Sequence, residues 1–268
     1  MTISAPGRIG LRIVALGYLA LLLLVPIGVV LYRTFEPGLG AVIDSITTPA
    51  AVSAFWLTVE IAAIAVPLNT IFGIVAALLL VRSNVRGKRL LEAVIDLPFA
   101  ISPVVIGLAL FLLYGREGWF GPTLSNAGIQ IIFSVPGMVL ATIFVCLPFV
   151  VREVTPVLRE IGDEQEQAAA TLGASRTQTF LRVTLPAIRW GVAYGIVLST
   201  ARAIGEFGAV SVVSGKIAGE TITLPLLVEN RYSNFDLAGA YAASALLAVI
   251  ALATLLVMTV LQRKGDAR

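Results

Sequence analysis

The sequence contains six long apolar stretches, which constrain its fold more than any other feature. They occupy residues 11–32, 54–81, 94–114, 129–151, 190–213 and 237–261. Each meets or approaches the roughly 20 residues that a helix needs to cross a bilayer core. Composition agrees, since 58% of the 268 residues are apolar and 13% are charged, against about 45–50% and about 25% in soluble domains. We therefore predict an all-α polytopic membrane protein with six transmembrane helices, and exclude a soluble enzyme, a disordered chain or a nucleic-acid binder.

Prolines interrupt the third and fourth stretches, which contain Pro98, Pro103, Pro136 and Pro148. Because neighbouring helices and side chains satisfy the carbonyls that a membrane proline frees, we expect kinks rather than breaks. The second stretch is long enough to tilt or to extend beyond one face. The first is too long for the apolar region of a signal peptide, and no small-residue cleavage site follows Tyr32, so we expect a retained helix.

The basic residues divide unevenly between the two sides of these stretches. Fourteen of the 19 lysines and arginines fall on one side and four on the other, while Arg202 lies within the fifth stretch. The fourteen are Arg8, Arg12, Arg82, Arg86, Lys88, Arg89, Arg152, Arg159, Arg176, Arg182, Arg189, Arg263, Lys264 and Arg268, and the four are Arg33, Arg116, Lys216 and Arg231. Since cytoplasmic loops are enriched in Lys and Arg, this distribution predicts that both termini are cytoplasmic.

The chain lacks the residues that several classes of site require. It contains no histidine, which excludes His-dependent triads, imidazole proton relays and the usual zinc sites. Its single cysteine, Cys146, lies in an apolar run, where we expect a buried structural thiol. No intramembrane Asp pair or Ser–Lys pair offers acid–base or nucleophilic chemistry. We therefore predict neither catalytic residues nor a metal site.

The longest loop, residues 152–189, separates the fourth and fifth stretches and carries the densest charge. Asp163 followed by Glu166 fits the capping-box pattern at a helix N-terminus. We therefore predict a short helix that continues through Leu172 and stops at Gly173, since glycine adopts a left-handed conformation cheaply.

A second short helix is predicted after it in the same loop. Ser175 and Gln178 repeat the capping pattern, and Leu185-Pro186 would end this helix because proline cannot continue one. The local chemistry is equally compatible with a structured connecting loop and with a surface that docks on a soluble partner.

The spacing within this loop resembles the EAA motif of ABC importer permeases. That motif runs Glu-Ala-Ala, three residues, Gly, nine residues, Ile, one residue, Leu-Pro. Here Ala168-Ala169, Gly173 and Leu185-Pro186 stand at the family spacing, with Val183 replacing Ile. Gln167 occupies the position of the glutamate, with Glu166 beside it, so a role that requires the carboxylate at that position is in question.

The resemblance implies that the loop supplies a coupling helix, which sits in a groove of a separate ATPase subunit. The residues assigned to coupling are Glu166, Gln167, Ala168, Ala169, Gly173, Phe180, Leu185 and Pro186, with Phe180 as an apolar anchor. The chain has no phosphate-binding loop of its own, because the nearest candidate around Lys216 lacks both the following hydroxyl and the first glycine. We therefore expect no cofactor on this chain, with ATP and Mg²⁺ on the partner ATPase, and no enzymatic activity of its own.

Arg202 is the basic residue predicted to lie inside the membrane. Glu206 follows at i+4, and Gly195, Ser199 and Ala209 complete a stripe of small and polar residues on the same helix face. A central charge costs roughly 2.5–3.5 kcal/mol to insert, so such residues usually face a cavity or a partner. The translocation pathway for an anion would use Ser199, Arg202 and Glu206; alternatively, the charges form an ion pair sealed at a subunit interface.

Residues 201–210 (ARAIGEFGAV) resemble the fifth-span signature of sulfate and molybdate ABC permeases. The runs SGKIAGET at 214–221, LPL at 224–226 and DLP at 96–98 extend the likeness over most of the chain. The resemblance implies a type I (MetI-like) importer fold, an extra first helix that commonly embraces the neighbouring subunit, and import of sulfate or thiosulfate. Molybdate or tungstate is the alternative cargo, and a stand-alone secondary anion transporter is the alternative class.

The same resemblance implies partners and a location. The partners are two copies of an ATP-binding subunit, a second permease subunit of the CysT type and an extracytoplasmic sulfate-binding protein, in a bacterial inner membrane. Residues 1–53 would form the first helix and outer loop, 54–261 the permease core, and 262–268 a cytoplasmic tail. The residues expected to meet the binding protein are Glu220, Glu229, Asn230 and Arg231.

Overall fold

The computed structural model describes residues 5–266, and it describes the side chains of residue 11 and of residues 13–260. Within residues 5–266 the chain forms helices and no strand, which confirms the predicted all-α class. The helices are α1 (Ala5–Phe35), α2 (Leu39–Ile46), α3 (Pro49–Arg82), α4 (Lys88–Ala100), α5 (Pro103–Tyr114), α6 (Gly121–Asn126), α7 (Val135–Glu160), α8 (Glu164–Thr171), α9 (Arg176–Thr179), α10 (Leu185–Ile204), α11 (Gly208–Val213), α12 (Leu224–Ser233) and α13 (Leu237–Asp266). A π-helix, Phe180–Thr184, joins α9 to α10.

Among the described residues, five helices are long and apolar enough to cross a membrane, and a bent pair makes a sixth when it is counted as one span. The five are α1, α3, α7, α13 and the continuous helix Arg176–Ile204, and the bent pair is α4 with α5. α3 begins as its sequence favours: Pro49 occupies the first turn, and the Thr48 hydroxyl accepts a hydrogen bond from the N–H of Ala51 at 3.3 Å. The chain is therefore a multi-pass membrane protein.

The third predicted span is broken, which corrects the expectation of a kink. α4 and α5 meet at 109° across Ile101 and Ser102, whose ψ angles of 137° and 135° are extended. Pro103 explains the break, because its ring disfavours helical ψ at the preceding residue. The same proline lies in the first turn of α5, where its missing N–H costs nothing.

The fourth predicted span corresponds to α7, which begins at Val135 and not at residue 129 as predicted. Pro136 lies in its first turn, and Phe133 has a positive φ of 63°. The N–H of Phe133 bonds to the carbonyl of Val213 at 2.8 Å, so the residues before α7 form a loop held to the end of α11. Pro148 lies inside α7 without ending it.

The fifth predicted span, residues 190–213, is two helices. α10 starts earlier, at Leu185, and ends at Ile204, and α11 follows after a break at residues 205–207. Gly205 is the residue that closes α10, and the carboxylate of Glu206 caps α11. A flexible residue followed by a side-chain acceptor that competes with the helical ladder accounts for the break.

Glycines bring α3, α7 and α10 close together at the centre of the bundle. A Cβ on Gly73 would lie 2.5 Å from the Cβ of Val150, and one on Gly195 would lie 2.8 Å from the Cα of Val150. A Cβ on Gly191 would lie 2.9 Å from the carbonyl oxygen of Glu153. Small residues permit such approaches between membrane helices. Gly195, which the sequence placed on a pathway stripe, therefore serves helix packing.

Ion pairs collect at two opposite ends of the bundle. The loop end, which bears residues 152–189, holds Arg82–Glu166, Arg152–Asp96 and Arg159–Glu92, and the opposite end holds Arg33–Glu36, Lys216–Glu229 and Arg231–Asp236. Among the described side chains, no ion pair joins a residue predicted on one face to a residue predicted on the other. The side chains of Arg8, Arg12, Arg263 and Lys264, and all of Arg268, lie outside the described part.

Candidate functional site

Helix α8 is bounded by two left-handed glycines, Gly162 with φ 62° and Gly173 with φ 82°. At its end, the N–H of Gly173 bonds to the carbonyl of Ala170, and the N–H of Ala174 to the carbonyl of Ala169, each at 3.0 Å. These two bonds define a Schellman motif, which glycine at this position favours. The predicted stop at Gly173 is confirmed.

The capping box predicted at the start of α8 does not form. Asp163 is the residue before the helix, but its side chain makes no capping hydrogen bond. The carboxylate of Glu166 is bound elsewhere: one oxygen accepts from Arg82 Nε at 3.0 Å and the other from the Thr184 hydroxyl at 2.9 Å. A charge-assisted bond is about twice as strong as a neutral one, so Arg82 outcompetes the backbone for this carboxylate.

Arg82 connects several elements at the loop end. Besides Glu166, its guanidinium donates to the carbonyl of Leu158 at 3.1 Å and to the carbonyl of Gly162. The side chains of Arg82 and Glu166 are only 20% and 21% exposed, and Thr184 is buried. The network thus ties α3, α7, α8 and the π-helix together. The sequence pattern placed Arg82 only among the orienting charges and gave no signal for Thr184, because no local pattern links residues so far apart.

The second short helix starts as predicted and ends differently. Ser175 and Gln178 form both bonds of a capping box, at 3.3 and 2.8 Å. Leu185-Pro186 was expected to end the helix, and this is wrong. The N–H of Leu185 bonds to the carbonyl of Phe180 and Pro186 lies in the first turn of α10, because the wider π-turn accommodates the proline that an α-turn would reject.

The exposed surface of this loop is apolar at its centre. Leu172 is 88% exposed, whereas Phe180, the predicted anchor, is half-buried. An open depression of about 620 Å³ lies between α8 and the start of α10, and its lining includes Ala168, Ala169, Leu172, Val183, Pro186, Arg182 and Arg189. Gln167 and Gly173 are exposed beside it, and Leu185 points partly into the bundle. This shape is compatible with docking to another protein, and of Leu172 and Phe180, Leu172 is the more exposed apolar side chain.

Arg202 and Glu206 form an ion pair, but they do so across the break between α10 and α11. Arg202 therefore lies in the last turn of α10 and not at the middle of a continuous helix. The second oxygen of Glu206 accepts from the N–H of Ala209 at 2.8 Å. The cation at a helix C-terminus and the anion at a helix N-terminus both interact favourably with the helix dipoles. The Glu206 side chain is 1% exposed and that of Arg202 is 30% exposed, so Arg202 is the more accessible member of the pair.

Ser199, the third predicted pathway residue, is completely buried. The thiol of Cys146 on α7 donates to its carbonyl at 3.7 Å, so Ser199 belongs to the packed seam between α7 and α10. Cys146 is itself 0% exposed, which confirms the predicted buried thiol. Among the described side chains, no three metal-ligating residues converge.

The residues predicted to meet a binding protein have different environments. Arg231 is 9% exposed and donates to both oxygens of Ser45, to the Thr48 hydroxyl and to the carbonyl of Gly239, all at 2.9–3.0 Å. These contacts make it a structural residue, and its side chain leaves little surface for the predicted docking role. Glu220 and Asn230 are exposed, and Glu229 is half-buried and paired with Lys216 at 3.4 Å.

Comparison with known proteins agrees with this architecture. Residues 69–267 match the family described as "Binding-protein-dependent transport system inner membrane component". The sulfate transport system permease protein CysW of Synechocystis sp. is 53% identical over 93% of this chain and 91% of its own. The protein of the same name from Escherichia coli strain K12 is 51% identical over 91% and 84%, respectively.

A solved structure shares the fold. It is a crystal structure of a bacterial ABC transporter involved in the import of the acidic polysaccharide alginate, with a TM-score of 0.79, 18% identity, and coverage of 96% of this chain and 95% of that one. Together with the family match over 69–267, the fold and the sequence relatives show that the chain belongs to the family of inner-membrane components of binding-protein-dependent transport systems.

Proposed function

We propose that the chain is the membrane-spanning permease subunit of an ATP-driven importer that moves sulfate into the cell. The assignment of sulfate as the cargo rests on the identity of 53% and 51% to proteins named as sulfate transport permeases. The exposed surface of α8, at the spacing of the EAA motif, supports the importer class, because a stand-alone transporter needs no docking site for an ATPase.

Sulfate import against the membrane potential requires an energy source. Moving a dianion inward against 100 mV costs about 4.6 kcal/mol, twice the roughly 2.3 kcal/mol for a single charge. A passive pathway would therefore exclude sulfate and not accumulate it. ATP and Mg²⁺ bind to the partner ATPase in this proposal, and the present chain contributes the pathway and no nucleotide site.

The described residues suggest how the chain takes part. Leu172 and the depression beside it dock in a groove of the ATPase, and closure of the ATPase dimer displaces α8 and the adjoining start of α10. At the other end of α10, Arg202 offers a partly exposed guanidinium to the anion. Because Glu206 already neutralises this charge, the anion competes for Arg202 without being trapped, as a transport pathway requires.

The proposed assembly contains two ATPase copies, a second permease subunit of the CysT type and an extracytoplasmic sulfate-binding protein, in a bacterial inner membrane. Both termini and α8 face the cytoplasm. The 14-to-4 division of basic residues supports this orientation.

Uptake competition tests the proposal. Cells that lack this chain are complemented with it, and radiolabelled sulfate uptake is measured with excess thiosulfate, molybdate or tungstate. We expect complementation to restore sulfate uptake, thiosulfate to compete, and an inactive partner ATPase to abolish uptake. Uptake of molybdate but not sulfate would reassign the cargo, and uptake that survives ATPase inactivation would reassign the class.

A further inference from the structure

Helix α8 is weakly attached to the rest of the bundle by packing. None of its residues is buried. Left-handed glycines, Gly162 and Gly173, lie at its two ends, so no side chain at these turns restricts the direction of the helix. A helix that must pass a displacement to the membrane needs another attachment, because a free helix would move by itself.

The attachment on this chain is the side chain of Glu166. Among the described side chains, Arg82–Glu166 is the sole ion pair between α8 and any other helix. Thr184, at the end of the π-helix, donates to the second carboxylate oxygen, so Glu166 is held from two sides. Both partners are shielded from solvent, with Arg82 and Glu166 about one fifth exposed and Thr184 buried, which limits screening by salt.

Arg82 also fixes the geometry around this carboxylate. Its guanidinium donates to Glu166, to the carbonyl of Leu158 in the last turn of α7 and to the carbonyl of Gly162 between α7 and α8. Arginine can satisfy acceptors in three directions from one planar group, and lysine retains the charge without this fixed geometry.

We propose that Arg82 is a positioning residue for energy coupling: through Glu166 and Thr184 it makes α8 move as one body with α3, α7 and the start of α10. This inference rests on the proposed function, because it assumes that an ATPase displaces α8. Arg82 lies outside the docking surface, and in this proposal it transmits the displacement of α8 to the membrane helices.

The test compares sulfate transported per ATP hydrolysed in reconstituted complexes that contain the full chain with its partners. Arg82→Ala should assemble, hydrolyse ATP and transport at least about tenfold less sulfate per ATP, within the usual range for coupling between two sites. Arg82→Lys should retain a substantial part of the coupling. Arg159→Ala, which removes the exposed pair with Glu92 at the same end, is the matched control and should retain full coupling.

An unchanged ratio in Arg82→Ala overturns the proposal, whether or not the amount of complex falls. Where Arg82→Ala does not assemble, Thr184→Val replaces it, since this variant removes only one hydrogen bond to Glu166. A lower ratio in Thr184→Val supports the proposal and an unchanged ratio overturns it.

A distance measurement separates this inference from the proposed function. Spin labels are attached at two exposed positions, Asn84→Cys just after α3 and Thr171→Cys at the end of α8. Both variants also carry Cys146→Ser, so that no other cysteine is labelled. We expect a narrow distance distribution in the parent complex and a broad one with Arg82→Ala. A narrow distribution in both overturns the attachment. A broadened distribution in a complex that does not carry sulfate overturns the proposed cargo and leaves the attachment supported.

Discussion

Three arginines near helix ends make polar contacts that join different elements of the bundle. Arg82 ends α3, Arg202 lies in the last turn of α10, and Arg231 in the last turn of α12. A cation at this position also interacts favourably with the helix dipole. Their partners differ. Arg82 bonds to the loop that follows α7, and Arg202 pairs with Glu206 in the break between α10 and α11. Arg231 joins α12 to α2 and α13.

The pair Arg202–Glu206 is tested best by a double substitution. Arg202→Ala alone leaves a buried carboxylate unpaired, which costs about 3–5 kcal/mol. Adding Glu206→Gln removes this charge while an amide oxygen still accepts from the N–H of Ala209. We expect the double variant to assemble and to import sulfate about tenfold more slowly, equivalent to about 1.4 kcal/mol in the barrier. Initial uptake per assembled complex is the measurement, and normal uptake would make the pair an interface feature only.

Arg231 gives a stability prediction. Arg231→Ala removes four hydrogen bonds, to Ser45, Thr48 and Gly239, and the ion pair with Asp236. We expect the unfolding free energy to fall by about 2–4 kcal/mol, measured by thermal unfolding of the purified complex. Arg116→Ala, at an exposed arginine predicted on the same face, should change it by less than about 0.5 kcal/mol. Equal effects of the two variants would contradict a structural role for Arg231.

At the scale of elements, local sequence patterns predicted helix ends well only where no residue distant in sequence bonded to the capping side chains. The Gly173 stop and the Ser175–Gln178 box formed as predicted, because their partners lie within a few residues. The Asp163 box failed because Arg82, far away in sequence, takes the carboxylate that it needed. The candidate site was therefore predictable in its turns, but not in its long-range contacts.

Prolines illustrate the same limit. Pro103 and Pro186 both lie in the first turn of an α-helix, yet Pro103 follows a sharp break and Pro186 follows an unbroken π-turn. The residue type predicts a missing donor in both cases. Whether the chain bends or widens its turn depends on the helices that pack around it, which one sequence does not reveal.

Two glycines that face the same valine predict unequal rescue behaviour. A Cβ on Gly73 would meet the side chain of Val150, and one on Gly195 would meet its backbone Cα at 2.8 Å. Each Gly→Ala change should cost about 1–3 kcal/mol through overpacking. Val150→Gly should offset part of the cost of Gly73→Ala, because it removes the Cβ that the new methyl group would meet at 2.5 Å. It should offset less of the cost of Gly195→Ala, because the obstructing Cα of Val150 remains. Thermal unfolding of the single and double variants measures both couplings, and equal rescue would contradict the packing described.

At the scale of the whole molecule, the six apolar stretches and their flanking charges predicted the fold class and the approximate number of spans. They did not predict what covers α1, whose most apolar window has no buried residue within the chain. Its contact with α13 includes a hydrogen bond from the Thr34 hydroxyl to the carbonyl of Tyr241 at 3.1 Å. Such an apolar helix requires lipid or another subunit around it, since water would not solvate that surface favourably.

Orientation is testable by cysteine labelling in a Cys146→Ser background. Thr171→Cys and Asn230→Cys place exposed thiols at the loop end and the opposite end. We expect an impermeant maleimide to label Asn230→Cys in intact spheroplasts and Thr171→Cys only in inside-out vesicles, following the distribution of basic residues. The natural Cys146 is the control, because a fully buried thiol should label in neither preparation. The reverse pattern would place α8 outside.

The π-turn at Phe180–Thr184 has a mechanical consequence. Because Pro186 does not end the helix, residues Arg176–Ile204 form one rod about 43 Å long at about 1.5 Å per residue. A rod of that length acts as a lever: a rotation of about 10° about one end displaces the other by about 7 Å. Arg202, in the last turn of α10, lies at the far end of this rod. In the proposed importer, a small tilt at the α8 end of the rod would therefore produce a larger displacement at the Arg202 end, and a rod shortened by whole turns would produce a proportionally smaller one.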